Sequence, residues 1–232
     1  MIQIRLSEDR GRANHGWLES RFSFSFADYY DPNHMHFRSL RVINDDHVAA
    51  GKGFGMHPHR DMEILTWVVE GKLEHADTMG NRRVILPGEL QAMSAGSGLL
   101  HSEYNPSSTE PLHLFQMWIL PAEKGITPRY DQKLFPIAGR QGKFQILASP
   151  DERENSLPIN QDAYLLVANL ADGEQTTHEL GANRGAWIQV TKGAIELNGQ
   201  TLKEGDGAAI EEEELLSFTG KAESQVLLFD LN

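Results

Sequence analysis

Two short histidine-containing segments carry the residues best suited to chemistry in this 232-residue chain. The first reads Gly51-Lys-Gly-Phe-Gly-Met-His57-Pro-His59-Arg-Asp-Met-Glu63. The second reads Gly96-Ser-Gly98-Leu-Leu-His101-Ser-Glu103-Tyr-Asn105. On a β-strand, residues i and i+2 point to the same face, so His57 and His59 can grip one ion together. His101 and Glu103 form a second such pair after a glycine turn. Set on facing strands of a small barrel, the two pairs present three imidazoles and one carboxylate inward. That set suits a divalent first-row metal and leaves two positions of an octahedron open. Glu63 shares the strand face of His57 and His59, so spacing alone leaves two candidates for the carboxylate. A single His-x-His is weak evidence, and the chain holds another at His34-Met-His36. The argument rests on the sum of His-x-His, His-x-Glu and Gly-x-Gly-x-x-His.

The other candidates have plainer readings. His34 and His36 follow Asp31-Pro-Asn and fall in a turn near a pocket mouth. His113, in the alternating run Leu112-His-Leu-Phe-Gln-Met-Trp118, reads as a hydrogen-bonded barrel residue, and His15 as structural. Phe22, Phe24, Phe26, Tyr29 and Tyr30 read as core packing at period two, with some of them able to line a pocket. The chain has no glycine-rich phosphate loop and no nucleophile elbow.

The elements that must position these residues are strands. Helical periodicity is scarce, and short apolar segments recur between turn signals, as in an antiparallel sandwich or barrel. Met62–Glu70 reads as a strand ending at Gly71, Lys72–Ala76 leads to the turn Met79-Gly-Asn, and Arg83–Leu86 returns to Pro87-Gly88. Late in the chain, Ala186–Thr191 leads to Lys192-Gly193, and Ala194–Leu197 closes at Asn198-Gly199, a dipeptide suited to a two-residue hairpin. Thr201–Ile210 completes that unit. The two stretches look like one supersecondary unit used twice, about 120 residues apart. They imply two tandem β-barrel-like domains, joined within Pro121–Gln161, which holds five of the ten prolines. The second copy has one histidine, in Glu174-Gln-Thr-Thr-His178, and Ala208-Ala-Ile-Glu211 stands where a His-x-Glu would follow its hairpin. It cannot build the same site and reads as scaffold.

Composition narrows the classes. Hydrophobic residues are 40% and charged residues 23%, an ordinary globular balance. No run approaches the roughly 18 apolar residues of a spanning helix, and the start lacks a signal pattern, so a cytoplasmic location without membrane association is the expectation. The absence of cysteine removes disulfides, zinc ribbons, iron–sulfur sites and thiol catalysis. Net charge is −12, of which residues 151–232 carry −11 (5 basic, 16 acidic). Such a surface repels phosphate backbones, so no nucleic-acid partner is expected. The acidic run Glu211–Glu214 reads as a solvated turn.

Gly51-x5-His57-x-His59-x3-Glu63, followed by Gly71, resembles the first motif of the cupin superfamily, with one residue too many before the glycine. Gly98-x2-His101-x3-Asn105 resembles the second, with Gly96 in place of the usual proline. A more specific resemblance, over the whole chain and densest in residues 10–130, is to the pirin family of bicupins and its bacterial members with quercetin 2,3-dioxygenase activity. It is carried by Arg10–Trp17, Phe22–Pro32, Gly55-Met-His-Pro-His59, Glu63 and Ser94–Glu103. The resemblance implies an all-β, jelly-roll-like pair of cupin barrels: residues 1–135 as the metal-binding domain and 136–232 as a cupin-like domain without a metal site. It implies His57, His59, His101 and Glu103 as metal ligands, with Glu103 also the catalytic residue and Glu63 set aside. The ion implied is a divalent transition metal, iron first, with nickel, cobalt, manganese, copper or zinc also suited to the donors.

Such a site can act as a Lewis acid, activate water or bring an electron-rich substrate and O2 together. The resemblance points to a dioxygenase (EC 1.13.11.24) that opens the heterocycle of a flavonol such as quercetin and releases CO, with Glu103 taking the hydroxyl proton. Its partners are then a small aromatic substrate and O2, and the expected state is a monomer. The alternative is a pirin-like, metal-containing regulator that binds other proteins without turnover.

Overall fold

The computed structural model describes residues 1–232, and its regular secondary structure is almost entirely β-strand. Ile2–Arg5 (β1) is followed by Gly11–Asn14 (β2), Leu18–Phe22 (β3), Leu40–Val48 (β4) and Gly53–His59 (β5). Next come Glu63–Glu70 (β6), Leu73–Asp77 (β7), Arg82–Ile85 (β8), Glu89–Ser94 (β9) and Leu99–Tyr104 (β10). Leu112–Ile119 (β11), Arg129–Leu134 (β12) and the short helix Ile137–Arg140 (α1) lead to Gln145–Ser149 (β13) and Leu157–Pro158 (β14). Ala163–Leu170 (β15), Gln175–Glu179 (β16), Gly185–Lys192 (β17) and Ala194–Leu197 (β18) follow. Gln200–Lys203 (β19), Gly207–Ile210 (β20), Leu215–Gly220 (β21) and Ser224–Leu231 (β22) are the last. No helix is long and apolar enough to cross a membrane.

The chain forms two compact units. The N-terminal unit holds Gly11–Phe135 and Ile159–Gln161; the C-terminal unit holds Met1–Arg10, Pro136–Pro158 and Asp162–Asn232. A linear cut at residue 135 therefore misses two exchanges, each with a backbone cause. The first ten residues go with the C-terminal unit because β1 pairs antiparallel with β20, Ile2 opposite Ile210. Ile159–Gln161 go with the N-terminal unit because Asn160 donates its N–H to Glu63 Oε2 (3.1 Å) and accepts from the Ala122 N–H (2.6 Å).

Each unit is built from a seven-stranded and a four-stranded sheet. In the N-terminal unit the orders are β12-β9-β6-β11-β4-β3-β2 and β5-β10-β7-β8; in the C-terminal unit they are β1-β20-β17-β22-β15-β13-β14 and β16-β21-β18-β19. The repeat legible in the sequence is the same excursion in both. A strand of the large sheet (β6 or β17) passes to a hairpin of the small sheet (β7–β8 or β18–β19), then returns beside its origin (β9 or β20). Asn198 (φ 43°) and Gly199 (φ 83°) make the second hairpin turn with both residues left-handed, as a type I′ turn requires. Apolar residues from both sheets fill each interior: Leu18, Val48, Val68, Leu73, Ile85 and Leu114 in the first, Val190, Ile195, Leu197, Leu216, Phe218 and Leu228 in the second.

The order of the small sheets corrects one detail of the sequence reading. The counterpart of β10, which carries His101 and Glu103, is β21 and not the Ala208–Glu211 segment. In β21 the inward positions are Leu216 and Phe218, both buried. Opposite them, His178 pairs with Leu216 and Thr176 with Phe218. The C-terminal unit fills with apolar side chains the space where the N-terminal unit places its donors.

Two glycines set the approach of the strands that bear those donors. A Cβ on Gly53 would lie 2.2 Å from the Glu103 carbonyl oxygen and 2.5 Å from Tyr104 Cα, so β5 reaches β10 only without a side chain there. Gly96, in the turn before β10, has φ +45°, and a Cβ there would lie 2.1 Å from the Ile126 carbonyl oxygen. Gly53→Ala is expected to push β5 from β10, lowering stability by about 1–3 kcal/mol in denaturant titration. It should lower the metal content of purified protein in parallel. Unchanged stability and metal content would contradict this account of the strand spacing.

Candidate metal centre

The alternation of β10 buries Leu99, His101 and Glu103 and exposes Leu100 and Tyr104. Pairing with β5 sets His101 directly opposite His57 and Leu99 opposite His59. The register then slips, so that Glu103 faces Phe54, with one more residue on β5 than on β10. A bulge of this kind re-aims side chains locally. The result is a cluster in which the ligand atoms of His57, His59 and His101 lie within 4.8 Å of one another. The rings of His57 and His59 are 4.9 Å apart and those of His59 and His101 4.7 Å apart, centroid to centroid.

Hydrogen bonds determine which nitrogens face inward. His57 Nδ1 lies 2.8 Å from the Gly55 carbonyl oxygen. A carbonyl only accepts, so Nδ1 carries the proton and Nε2 presents a lone pair. His57 Nε2 stands 3.0 Å from His101 Nε2. Two nitrogens bound at right angles to one ion at about 2.1 Å would be separated by about 3.0 Å. Burial, and then the charges of neighbouring imidazoles, hold His59 and His101 down at about 3, so both rings are neutral near neutral pH.

Glu103 is almost fully buried and has one oxygen held and one open. Gln116 Nε2 donates to Oε2 at 2.8 Å, and Thr66 Oγ1 donates to Gln116 Oε1 at 3.1 Å. Oε1 has no hydrogen-bond partner. Burial raises the Glu103 pKa, against the Gln116 hydrogen bond. An unpartnered buried carboxylate oxygen costs free energy unless a cation or a proton donor meets it. With three inward imidazoles beside it, the donor set fits one divalent transition ion. Glu63 has a different setting. Its Oε2 accepts from Ser94 Oγ (2.7 Å) and from the Asn160 N–H, and it joins none of the clusters with metal-ligating spacing.

One residue that spacing did not single out belongs to this neighbourhood. His75 on β7 is fully buried, pairs with Glu103 across the sheet, and has ligand atoms within 4.8 Å of those of His101 and Glu103. Both its nitrogens are engaged by protein: Nε2 by Asp77 Oδ2 at 3.1 Å, Nδ1 by Gln91 Nε2 at 3.1 Å and by His101 Nδ1 at 3.4 Å. It therefore neighbours the ligands without a free nitrogen of its own. Its one sequence signal is its position in an inward-facing phase of a strand.

A cavity of about 430 Å³ opens onto His57, His59 and Glu103, walled by Phe22, Phe26, Tyr29, Phe54 and Trp118. Trp118 contacts His59 edge to face at 4.9 Å and Phe26 at 5.3 Å. The aromatic run expected to be core thus divides three ways: Phe22, Phe26 and Tyr29 face the cavity, Phe24 is buried in the core, and Tyr30 is 72% exposed. His15 lines the same cavity. His34 is bonded to Asp31, His36 to the Arg38 carbonyl, and His113 to Asp45 at 2.7 Å.

The depressed histidines make stability depend on pH when no ion is bound. Between about 6.5 and about 3 an unfolded chain binds protons that folded His59 and His101 refuse, so the fold weakens as pH falls through that window. Metal-free protein should lose denaturant resistance between pH 7 and 5, above the range where ordinary carboxylates titrate. The slope should decrease by about one proton in His59→Leu. A flat profile would contradict the neutral state of these rings.

Comparison with known proteins places the whole chain among relatives of one kind. Residues 3–119 match the family model described as Pirin, and residues 146–231 match the Quercetinase C-terminal cupin domain. The quercetin 2,3-dioxygenase of Escherichia coli K12 is 55% identical over 231 residues, covering 100% of this chain and 99% of that protein. A pirin-like protein of Caulobacter vibrioides is 43% identical, covering 99% of each. The crystal structure of the bacterial pirin YhhW from E. coli in complex with nickel(II) superposes with a TM-score of 0.95. It is 54% identical and covers 100% of this chain and 99% of that one. An all-β chain of two cupin domains, matched from end to end by these proteins, belongs to the pirin family.

Proposed function

We propose that this chain is a metal-dependent dioxygenase that opens the heterocycle of a flavonol such as quercetin with O2 and releases carbon monoxide. The observation that carries the reading is Glu103, whose unpartnered oxygen stands beside a three-imidazole cluster at the wall of an aromatic-lined cavity. The name of the E. coli relative supports the same reaction.

His57, His59, His101 and Glu103 would hold one divalent ion. Iron is our assignment, and nickel is the alternative that the E. coli pirin complex makes concrete. When bound, the ion polarises the substrate hydroxyl oxygen and gives O2 and the electron-rich ring a common centre. The remaining work falls to side chains. Phe22, Phe26, Phe54 and Trp118 receive a flat aromatic ligand and keep water from it. Glu103 would accept the proton of the flavonol 3-hydroxyl, as a carboxylate within hydrogen-bond reach can. Gln116 holds Oε2 throughout, so the carboxylate has one orientation toward the substrate. In the overall reaction two ring carbon–carbon bonds break and both atoms of O2 enter an ester product. The carbon that bore the hydroxyl leaves as CO.

Oxygen-dependent CO release from quercetin should scale with bound metal in protein of known metal content and vanish in His101→Ala. Glu103→Gln should fold and lose turnover by about 10²- to 10⁴-fold. Folded, metal-loaded protein that releases no CO would overturn this function, and the chain would then be read as a pirin-like regulator that binds other proteins.

A further inference from the structure

The fully buried pair Asp77 and His75 lies behind the metal centre, on the side of His101 away from His57. Asp77 Oδ1 accepts the backbone N–H groups of Met79 (2.9 Å) and Asn81 (3.0 Å), and Oδ2 accepts Asn81 Nδ2 (2.8 Å). The side chain has no exposed surface. A carboxylate surrounded by donors in this way is an acceptor only, so the His75 nitrogen 3.1 Å from Oδ2 carries a proton. The other nitrogen of a neutral His75 must then accept. Two groups converge on it: the Gln91 amide nitrogen at 3.1 Å and His101 Nδ1 at 3.4 Å. Tyr130 stacks on the His75 ring at 4.7 Å and 29°, which fixes its plane.

With Gln91 sharing that lone pair, donors and acceptors can run in one direction, from His101 through His75 to Asp77. We propose that His75 and Asp77 are positioning residues that hold His101 in the tautomer protonated at Nδ1 and so aim its Nε2 lone pair at the ion. This rests on reading the three-imidazole cluster as a metal centre. Metal-ligating histidines commonly donate their second nitrogen to such a partner, and loss of the partner weakens the metal about 10- to 100-fold. The unusual feature here is that the acceptor is another imidazole, itself oriented by a buried carboxylate.

The first test needs neither metal nor substrate. In ¹⁵N spectra of metal-free wild-type protein, His101 is expected to be protonated at Nδ1 and His75 at Nε2. A His101 protonated at Nε2, or a His75 protonated on both nitrogens, would overturn the assignment. The second test is nickel or cobalt affinity by chelator competition. His75→Leu, which has no acceptor, should bind about 10- to 100-fold more weakly, with altered cobalt d–d bands. His75→Asn, whose Oδ1 can replace the Nδ1 acceptor, should recover both toward wild type. A folded His75→Leu with the wild-type His101 tautomer, affinity and spectrum would sink the proposal. The expected tautomers together with no CO release would fault the dioxygenase reading and leave this one intact.

Discussion

Two imidazole nitrogens that both present lone pairs, 3.0 Å apart, repel each other unless something positive lies between them. His57 Nε2 and His101 Nε2 lie 3.0 Å apart, and the framework around them sets that spacing. Cross-strand pairing of β5 with β10 supplies the distance, and the absence of a side chain at Gly53 allows the strands to close. The Gly55 carbonyl determines which nitrogen of His57 looks inward. On the far side, Glu103 is gripped through only one oxygen, which leaves a second unmet acceptor in the same space. These groups together make a donor set suited to a cation.

The two units show what that arrangement displaces. Both run the same strand–hairpin–strand excursion, and both close a seven-stranded sheet over a four-stranded one. At the paired inward positions one unit has His101 and Glu103 and the other has Leu216 and Phe218. The apolar pair is the solution that hydrophobic packing favours. The polar pair brings with it a set of supporting side chains, Thr66, Gln116, His75, Gln91 and Asp77, all buried, whose hydrogen bonds keep the donors oriented. Function here occupies a volume of core, and the second unit shows the same framework without that demand.

The histidine cluster was legible because strand geometry converts i, i+2 spacing directly into a shared face, and the duplicated excursion was legible because its turns have chemical signatures. The supporting residues were not. His75 matters only because β7 lies beside β10, and Thr66 and Gln116 reach Glu103 from the other sheet. Neither relation leaves a local pattern. The choice of Glu103 over Glu63 needed the family resemblance, since both have the correct period. The structure separates them by partners: Ser94 and Asn160 engage Glu63, while Glu103 keeps an oxygen open. The aromatic run stayed ambiguous for a related reason. Period two describes a strand face equally well whether that face meets core or cavity. The β21 counterpart of β10 was misplaced because the sequence match ended at the hairpin, one strand too early.

Strand β1 has a consequence for how the chain is made. Its partner β20 is about 200 residues downstream, so during synthesis Ile2–Arg5 leaves the ribosome long before there is an edge for it to join. Gly11–Phe135 can pair all its own strands in the meantime, needing only Ile159–Gln161 from later in the chain. The segment is thus made early and placed late, and until β20 is made the growing chain carries an unpaired strand. A nascent chain halted before residue 207 would expose that strand to chaperones, proteases or another copy of itself.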